Sequence, residues 1–208
     1  NLLVNGSSGN KYYLSTAFGD SIYLVAWADY RSGVGADIYC ARVGLDGRVL
    51  DPDGIVVCDS MWSQVVPDIG FDGQNFLVVW QDYRTQRFDN IYAARVSPAG
   101  VVLDPGGFAV AADACDDETP VTCFTGADHL IVWRGRTFSP AQLCIYGALV
   151  SPAGTITKPR FIVSYEWSEP LEPAVACGPT GSLVAWADTD SSGGHDIFAA
   201  RVQADGTV

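Results

Sequence analysis

YLVAWADYRSG at 23–33, FLVVWQDYRTQ at 76–86, HLIVWRGRTFS at 129–139 and SLVAWADTDSS at 182–192 are four versions of one segment. The steps between their tryptophans, from Trp27 to Trp80, to Trp133 and to Trp186, are all 53 residues. A period of that size, carrying several short strands per unit, marks a propeller or a solenoid.

The rest of the unit keeps the same frame. An extended segment before each tryptophan holds Leu14, Pro67, Pro120 or Pro173 at matching places. A further strand reads DIYCARV at 37–43, NIYAARV at 90–96, CIYGALV at 144–150 and DIFAARV at 196–202. A turn follows each, with Gly47, Gly100, Gly154 and Gly206 at the position where a hairpin needs positive φ. Last comes a short strand ending IVVC, FAVA or FIVS. Four strands per unit, apolar on both faces, describe sheets packed between neighbouring sheets.

The reading is an all-β chain, a single four-bladed β-propeller over residues 1–208 with four antiparallel strands per blade. The opening segment Leu2–Asn5 matches the end of a fourth strand. It is expected to close the ring by pairing beside the last three strands, next to Phe198.

Composition agrees with a folded β-protein: 48% apolar, 17% charged, 22 glycines and 11 prolines. The formal charge of −12 repels phosphate backbones and excludes nucleic acid and anionic membranes as natural partners. Apolar runs are too short for a membrane span, so no membrane insertion is expected. Six cysteines without a CxxC pair, beside two histidines, speak against zinc or iron–sulfur chemistry. They leave both disulfides and buried thiols open.

The pattern of an apolar run into Trp, then Asp-Tyr-Arg, then Asp-Ile-Tyr-x-Ala-Arg-Val and a Gly turn resembles the tandem propeller repeats of secreted or surface proteins of bacteria. The resemblance covers essentially the whole chain and implies architecture and a secreted or cell-surface location, without a shared chemistry. By blade count alone the chain is similar to hemopexin-like domains. Their motifs are missing, and no haem-binding residue is carried over.

The copies differ most in their loops, and loops on a rigid scaffold are where binding resides. The loops before the inner strands, at Gly6, Asp59, Ala112 and Tyr165, should share a face with those after the tryptophan strands. Trp62, Tyr165 and Trp167 then offer aromatic platforms beside Asp116, Asp117 and Glu118, a combination that suits sugars or cationic groups. Tyr30, Arg31, Tyr83 and Arg84 of the Asp-Tyr-Arg copies join that face, although their recurrence also fits a structural bridge between Arg and carboxylates. The loop with Asp188, Asp190 and Asp196 lacks the arginine and is the candidate calcium site. Arg42, Arg95 and Arg201, with Leu149 breaking the series, read as contacts between blades.

Catalysis has little to stand on in the sequence. His129 sits at a packed repeat position, and His195 is the one histidine free to act as a base. The expectation is therefore a non-enzymatic, lectin-like module binding a carbohydrate or a protein, as a monomer or as part of a larger chain. The alternatives are a structural spacer without a ligand and a hydrolase using acids of the loops.

Overall fold

The structure is a computed structural model and describes residues 1–112, 115–137, 142–165, 170–189 and 193–208. Among these residues it is entirely β, with fifteen strands in four sheets. The first sheet holds β1 (Lys11–Gly19), β2 (Ile22–Asp29), β3 (Asp37–Gly44) and β4 (Ile55–Cys58). The second holds β5 (Gln64–Phe71), β6 (Phe76–Asp82), β7 (Asn90–Val96) and β8 (Phe108–Ala111). The third holds β9 (Asp117–Phe124), β10 (His129–Arg136), β11 (Leu143–Val150) and β12 (Ile156–Ser164). The fourth has three strands, β13 (Ala174–Gly178), β14 (Gly181–Thr189) and β15 (His195–Val202). Every sheet is an antiparallel meander in chain order, as short hairpin turns dictate.

The sheets pack face to face. Leu24, Ala26, Ile38 and Cys40 of the first meet Phe76, Val78 and Trp80 of the second, all wholly buried. Similar cores join the second sheet to the third and the third to the fourth. Within each sheet the tryptophan stacks on the aromatic residue opposite, as Trp27 on Tyr39 and Trp186 on Phe198. The first strands of successive sheets adjoin: Ser15 Oγ donates to Asp68 Oδ1 at 2.7 Å, and Asp68 Oδ2 accepts Thr122 N–H at 2.8 Å. One disulfide, Cys123–Cys177, ties β9 to β13. Cys40, Cys58 and Cys144 are buried thiols.

The expected ring closure is corrected. Among the described residues, residues 2–5 form no strand, and no strand lies beyond β15 in the fourth sheet. The two end faces stay open. Ile38, Ile91 and Ile145 are wholly buried, whereas Ile197, at the same place in the fourth sheet, is 77% exposed. Leu14 on the opposite end is 72% exposed, where its counterparts Pro67 and Pro120 are buried. Four sheets thus follow one another as an open arc.

Candidate functional site

The loops on one face of the arc enclose a cavity of about 590 Å³ at the junction of the first two sheets. Tyr13, Tyr30, Trp62, Tyr83 and Phe88 supply its aromatic walls, and Asp89 is its carboxylate. As the alternating strand directions require, the loop before β5 and the loop after β6 meet here.

The backbone around this cavity is strained in a repeating way. Tyr13, Val66 and Thr119, one per inner strand, all have positive φ, at 55°, 52° and 51°. Each lies in the bulge that interrupts pairing of the inner strand with its neighbour. Bulges of this kind re-aim side chains near functional sites, and a β-branched residue such as Val66 adopts positive φ only at a cost. Trp62 and Gln86, which also line the cavity, have φ of 71° and 57°.

Gln81 organises the polar side. Its Nε2 donates to Asp89 Oδ2 at 3.0 Å and to the Tyr83 hydroxyl at 2.9 Å, while its Oε1 accepts the Thr119 N–H at 3.3 Å. Asp89 is stitched to the start of β9: its N–H donates to Asp116 Oδ1 at 3.4 Å, and its carbonyl accepts the Asp117 N–H at 2.9 Å. Burial pushes the Asp89 carboxyl up to about 6, and the negative charges of Asp116 and Glu118 add to this. The hydrogen bonds from Gln81 and Tyr83 pull the other way. Burial also raises the Tyr83 hydroxyl, to about 12, with Asp89 and Glu118 as the next causes. The result is a carboxyl that keeps its proton up to about pH 6, well above the usual carboxylate range.

The residues named from sequence fall into separate groups. Trp62, Tyr30 and Tyr83 line the cavity, and Asp116 and Glu118 flank Asp89. Glu118 is ion-paired with Arg134. Tyr165 is exposed on another part of the surface, while Trp167 lies outside the described residues.

Arg31 and Arg84 each pair with the acid two residues before them, at 2.6 and 2.7 Å. Their guanidinium groups lie over Tyr39 and Tyr92, at 4.0 and 3.8 Å from the ring centroids. The same acids, Asp29 and Asp82, accept the Nε1–H of Trp27 and Trp80.

Asp117 has the same kind of surroundings. It is wholly buried, accepts the Trp133 Nε1–H at 2.8 Å and pairs with Arg160 at 2.6 Å. Arg160 in turn lies 3.8 Å from the Tyr146 ring centroid. Asp117 therefore completes the third sheet's copy of the Trp–Asp–Arg–Tyr cluster.

Of the calcium candidates, Asp190 lies outside the described residues, and Asp188 and Asp196 stand opposite each other across β14 and β15. Among the described residues, no group of three or more acids, histidines or cysteines is placed to hold a metal. His129 is buried, with its Nε2 3.6 Å from Asp72, and burial lowers its pKa. His195 begins β15, and its neighbours Ser191 and Ser192 lie outside the described residues.

Sequence reasoning missed Asp89, Tyr13, Phe88 and Gln81 as members of one site. One signal was present. The repeat's acid position, held by Asp37 and Asp196 opposite Asp29 and Asp188, is taken in the second sheet by Asn90 opposite Asp82. Asp89 is thus an extra acid, one residue out of the repeat frame.

No family model matches the chain, and no curated protein does. Solved structures do. An endo-arabinase from Bacteroides thetaiotaomicron VPI-5482 is similar with a TM-score of 0.59 at 10% identity, over 93% of this chain and 76% of that one. An alpha-L-arabinofuranosidase from Lactobacillus brevis gives 0.58 at 11% identity, over 95% and 69%. A subtype N10 neuraminidase-like protein of A/little yellow-shouldered bat/Guatemala gives 0.60 at 10% identity, over 96% and 58%.

At such identities the likeness establishes the fold, which is that of a propeller. It also corrects the expectation of a non-enzymatic module. Several of the similar structures are glycoside hydrolases, so a missing catalytic signature in the sequence is no ground for excluding catalysis.

Proposed function

We propose that the chain is a glycoside hydrolase of the propeller type, with Asp89 as the proton donor and Asp116 as the second carboxylate. The observation that carries this is Asp89, pushed up to about 6 inside a cavity walled by aromatic rings. Cleaving a glycosidic bond needs one carboxyl that holds its proton and one carboxylate that acts as base or nucleophile. Glu118 is committed to Arg134, so Asp116, which faces the Asp89 backbone, is assigned the second role. Tyr30, Trp62 and Tyr83 would stack the C–H faces of the sugar. A secreted or surface location is part of this proposal and agrees with the disulfide.

The test is release of nitrophenol from a panel of 4-nitrophenyl glycosides, beginning with the arabinofuranoside. Hydrolysis should fall as pH rises through about 6, where Asp89 gives up its proton. Asp89→Asn should lower kcat by about 10²-fold or more while the protein stays folded. No turnover across the panel, or turnover indifferent to Asp89→Asn, refutes the proposal.

A further inference from the structure

Arg31, Arg84 and Arg160 each lie over an aromatic ring and hold a carboxylate at the edge of the guanidinium. Arg31 lies over Tyr39 and pairs with Asp29 at 2.6 Å, and Arg84 lies over Tyr92 and pairs with Asp82 at 2.7 Å. Arg160 lies over Tyr146 and pairs with Asp117 at 2.6 Å. The arrangement follows from the chemistry of the group. A planar cation offers its face to a ring and keeps its edge, a fork of N–H donors, for the two oxygens of a carboxylate.

Arg87 is stacked in the same way and lacks the carboxylate. Its Cζ stands 5.1 Å from the Phe88 ring centroid, and its side chain lines the aromatic cavity. Among the described residues it has neither an ion pair nor a hydrogen-bond partner, and it is the one cation in the cavity wall. Asp89 lies two residues away but takes its hydrogen bond from Gln81, and no ion pair joins it to Arg87. Carboxylates are plentiful in this chain, 24 acids against 12 basic residues, and the loop still turns Arg87 to the cavity instead of to one of them.

The first sheet carries the same loop without its chemistry. Gln86 N–H donates to Tyr83 O as Gly33 N–H does to Tyr30 O, and the Thr85 hydroxyl donates to Phe88 O as Ser32 does to Gly35 O. The carbonyls of Asp89 and Ala36 each accept an N–H from the start of the next inner strand. On this shared backbone the first copy reads Gly33-Val34-Gly35-Ala36 and the second Gln86-Arg87-Phe88-Asp89. Gly33 and Gln86 both have positive φ, at 75° and 57°, a conformation open to glycine and costly for glutamine. The turn itself therefore asks for none of the cation, ring and carboxyl that the second copy brings to the cavity.

We infer that the cavity takes an acidic sugar, a glycoside bearing a carboxylate, and that Arg87 is the residue that recognises this carboxylate. The inference rests on the proposed reading that a sugar occupies the cavity. Arg87 holds the sugar's carboxylate by its edge as Arg84 holds Asp82 through Nε and Nη2, with Phe88 against the guanidinium face. A single negative charge suits one cation beside Asp116 and Glu118, whereas a doubly charged phosphate is left in excess.

Binding, read apart from turnover, tests it. The 208-residue chain is titrated calorimetrically with oligosaccharides ending in a hexuronate, with the same sugars after reduction of the carboxyl to an alcohol, and with sulfated sugars of equal length. The uronate form should bind at least about tenfold more tightly than its reduced form. Arg87→Ala should bring that ratio close to one, and Arg87→Lys should keep part of it, since the charge stays and the fork is lost. Circular dichroism of both variants should match the parent, because the side chain is exposed. Uronate preference without turnover of any 4-nitrophenyl glycoside keeps this inference and removes the hydrolase, and turnover without uronate preference does the reverse. A preference that survives Arg87→Ala, equal or tighter binding of the sulfated sugars, or no binding of any uronate form overturns the inference.

Discussion

Trp133 Nε1 donates to Asp117 Oδ1 across two strands, whereas Trp27 and Trp80 reach the acid two residues further along their own strand. The third sheet keeps the buried cluster while drawing its acid from β9 and its arginine, Arg160, from β12. Gly135 stands where the usual acid would be, and a Cβ there would lie 2.3 Å from Asp117 Oδ1. Neutralising the buried partner of an arginine costs about 2–4 kcal/mol, so Asp117→Asn is expected to lower the unfolding free energy read from a urea titration by that amount. Gly135→Ala should cost about 1–3 kcal/mol through crowding alone, read in the same titration.

Asp89 should show opposed effects on stability and activity. Its carboxyl is raised in the folded protein, so folding takes up a proton, and stability gains as pH falls from about 6 toward the unfolded value of 3.8. Above that window the buried charge is a burden. Asp89→Asn removes it and should stabilise the protein at about pH 7.5 by about 1–2 kcal/mol after allowance for solvent screening, the gain vanishing below about pH 4. Thermal melts of the two proteins across that range check the sign, and a variant that is less stable at the higher pH contradicts it.

Asp51 and Asp104 should behave in the reverse sense. The hydrogen bond from Arg42 holds Asp51 below the usual carboxylate range, and Arg95 does the same for Asp104, with burial opposing in both. Their contribution is present above the unfolded value of 3.8 and is lost as pH falls through the lower folded values. The double variant Asp51→Asn, Asp104→Asn should therefore melt lower than the parent at about pH 6 and approach it at about pH 2. A difference that does not shrink on acidification would show that the ion pairs are not its source.

Cys123 and Cys177 clamp the fourth sheet, whose outer face is open, to the third. The bond closes a separation of 54 residues, and loops of that size are worth about 2–4 kcal/mol in the usual case. Cys123→Ser with Cys177→Ser, or reduction of the parent, should lower the melting temperature correspondingly. Calorimetry that finds no shift would place the fourth sheet's stability in its apolar contacts alone.

Much of this architecture can be read from the chain because packing between like sheets demands like residues at fixed intervals. Trp27, Trp80, Trp133 and Trp186 announce the four sheets, and the Arg42 series announces the grip between them. Ring closure was not readable, since Leu2–Asn5 has the same letters whether it adds to the fourth sheet or lies against the first. Curvature comes from side-chain volumes summed over whole interfaces, and no single motif reports it. Trp62 stands out in the sequence through the divergence of its loop, and Tyr30 and Tyr83 through the recurring Asp-Tyr-Arg group. Asp117 adjoins a divergent loop and yet holds the acid place of the buried cluster, which only the folded arrangement displays. Asp89 lies one residue from the frame position that Asn90 holds opposite Asp82. What sets it apart is burial beside Gln81 and the carboxylates of another sheet, a long-range property.

Arg42 and Arg95 each donate at 3.3 Å to a carbonyl in the glycine turn one sheet further along, and Lys158 does so from the third sheet at 2.9 Å, so these three junctions all point the same way. A unit of this chain can therefore be duplicated or excised as a block, because its leading turn and trailing cation always meet the matching parts of whatever unit adjoins. The aromatic cavity belongs to one junction only, and it travels intact through every such change that spares its two flanking sheets.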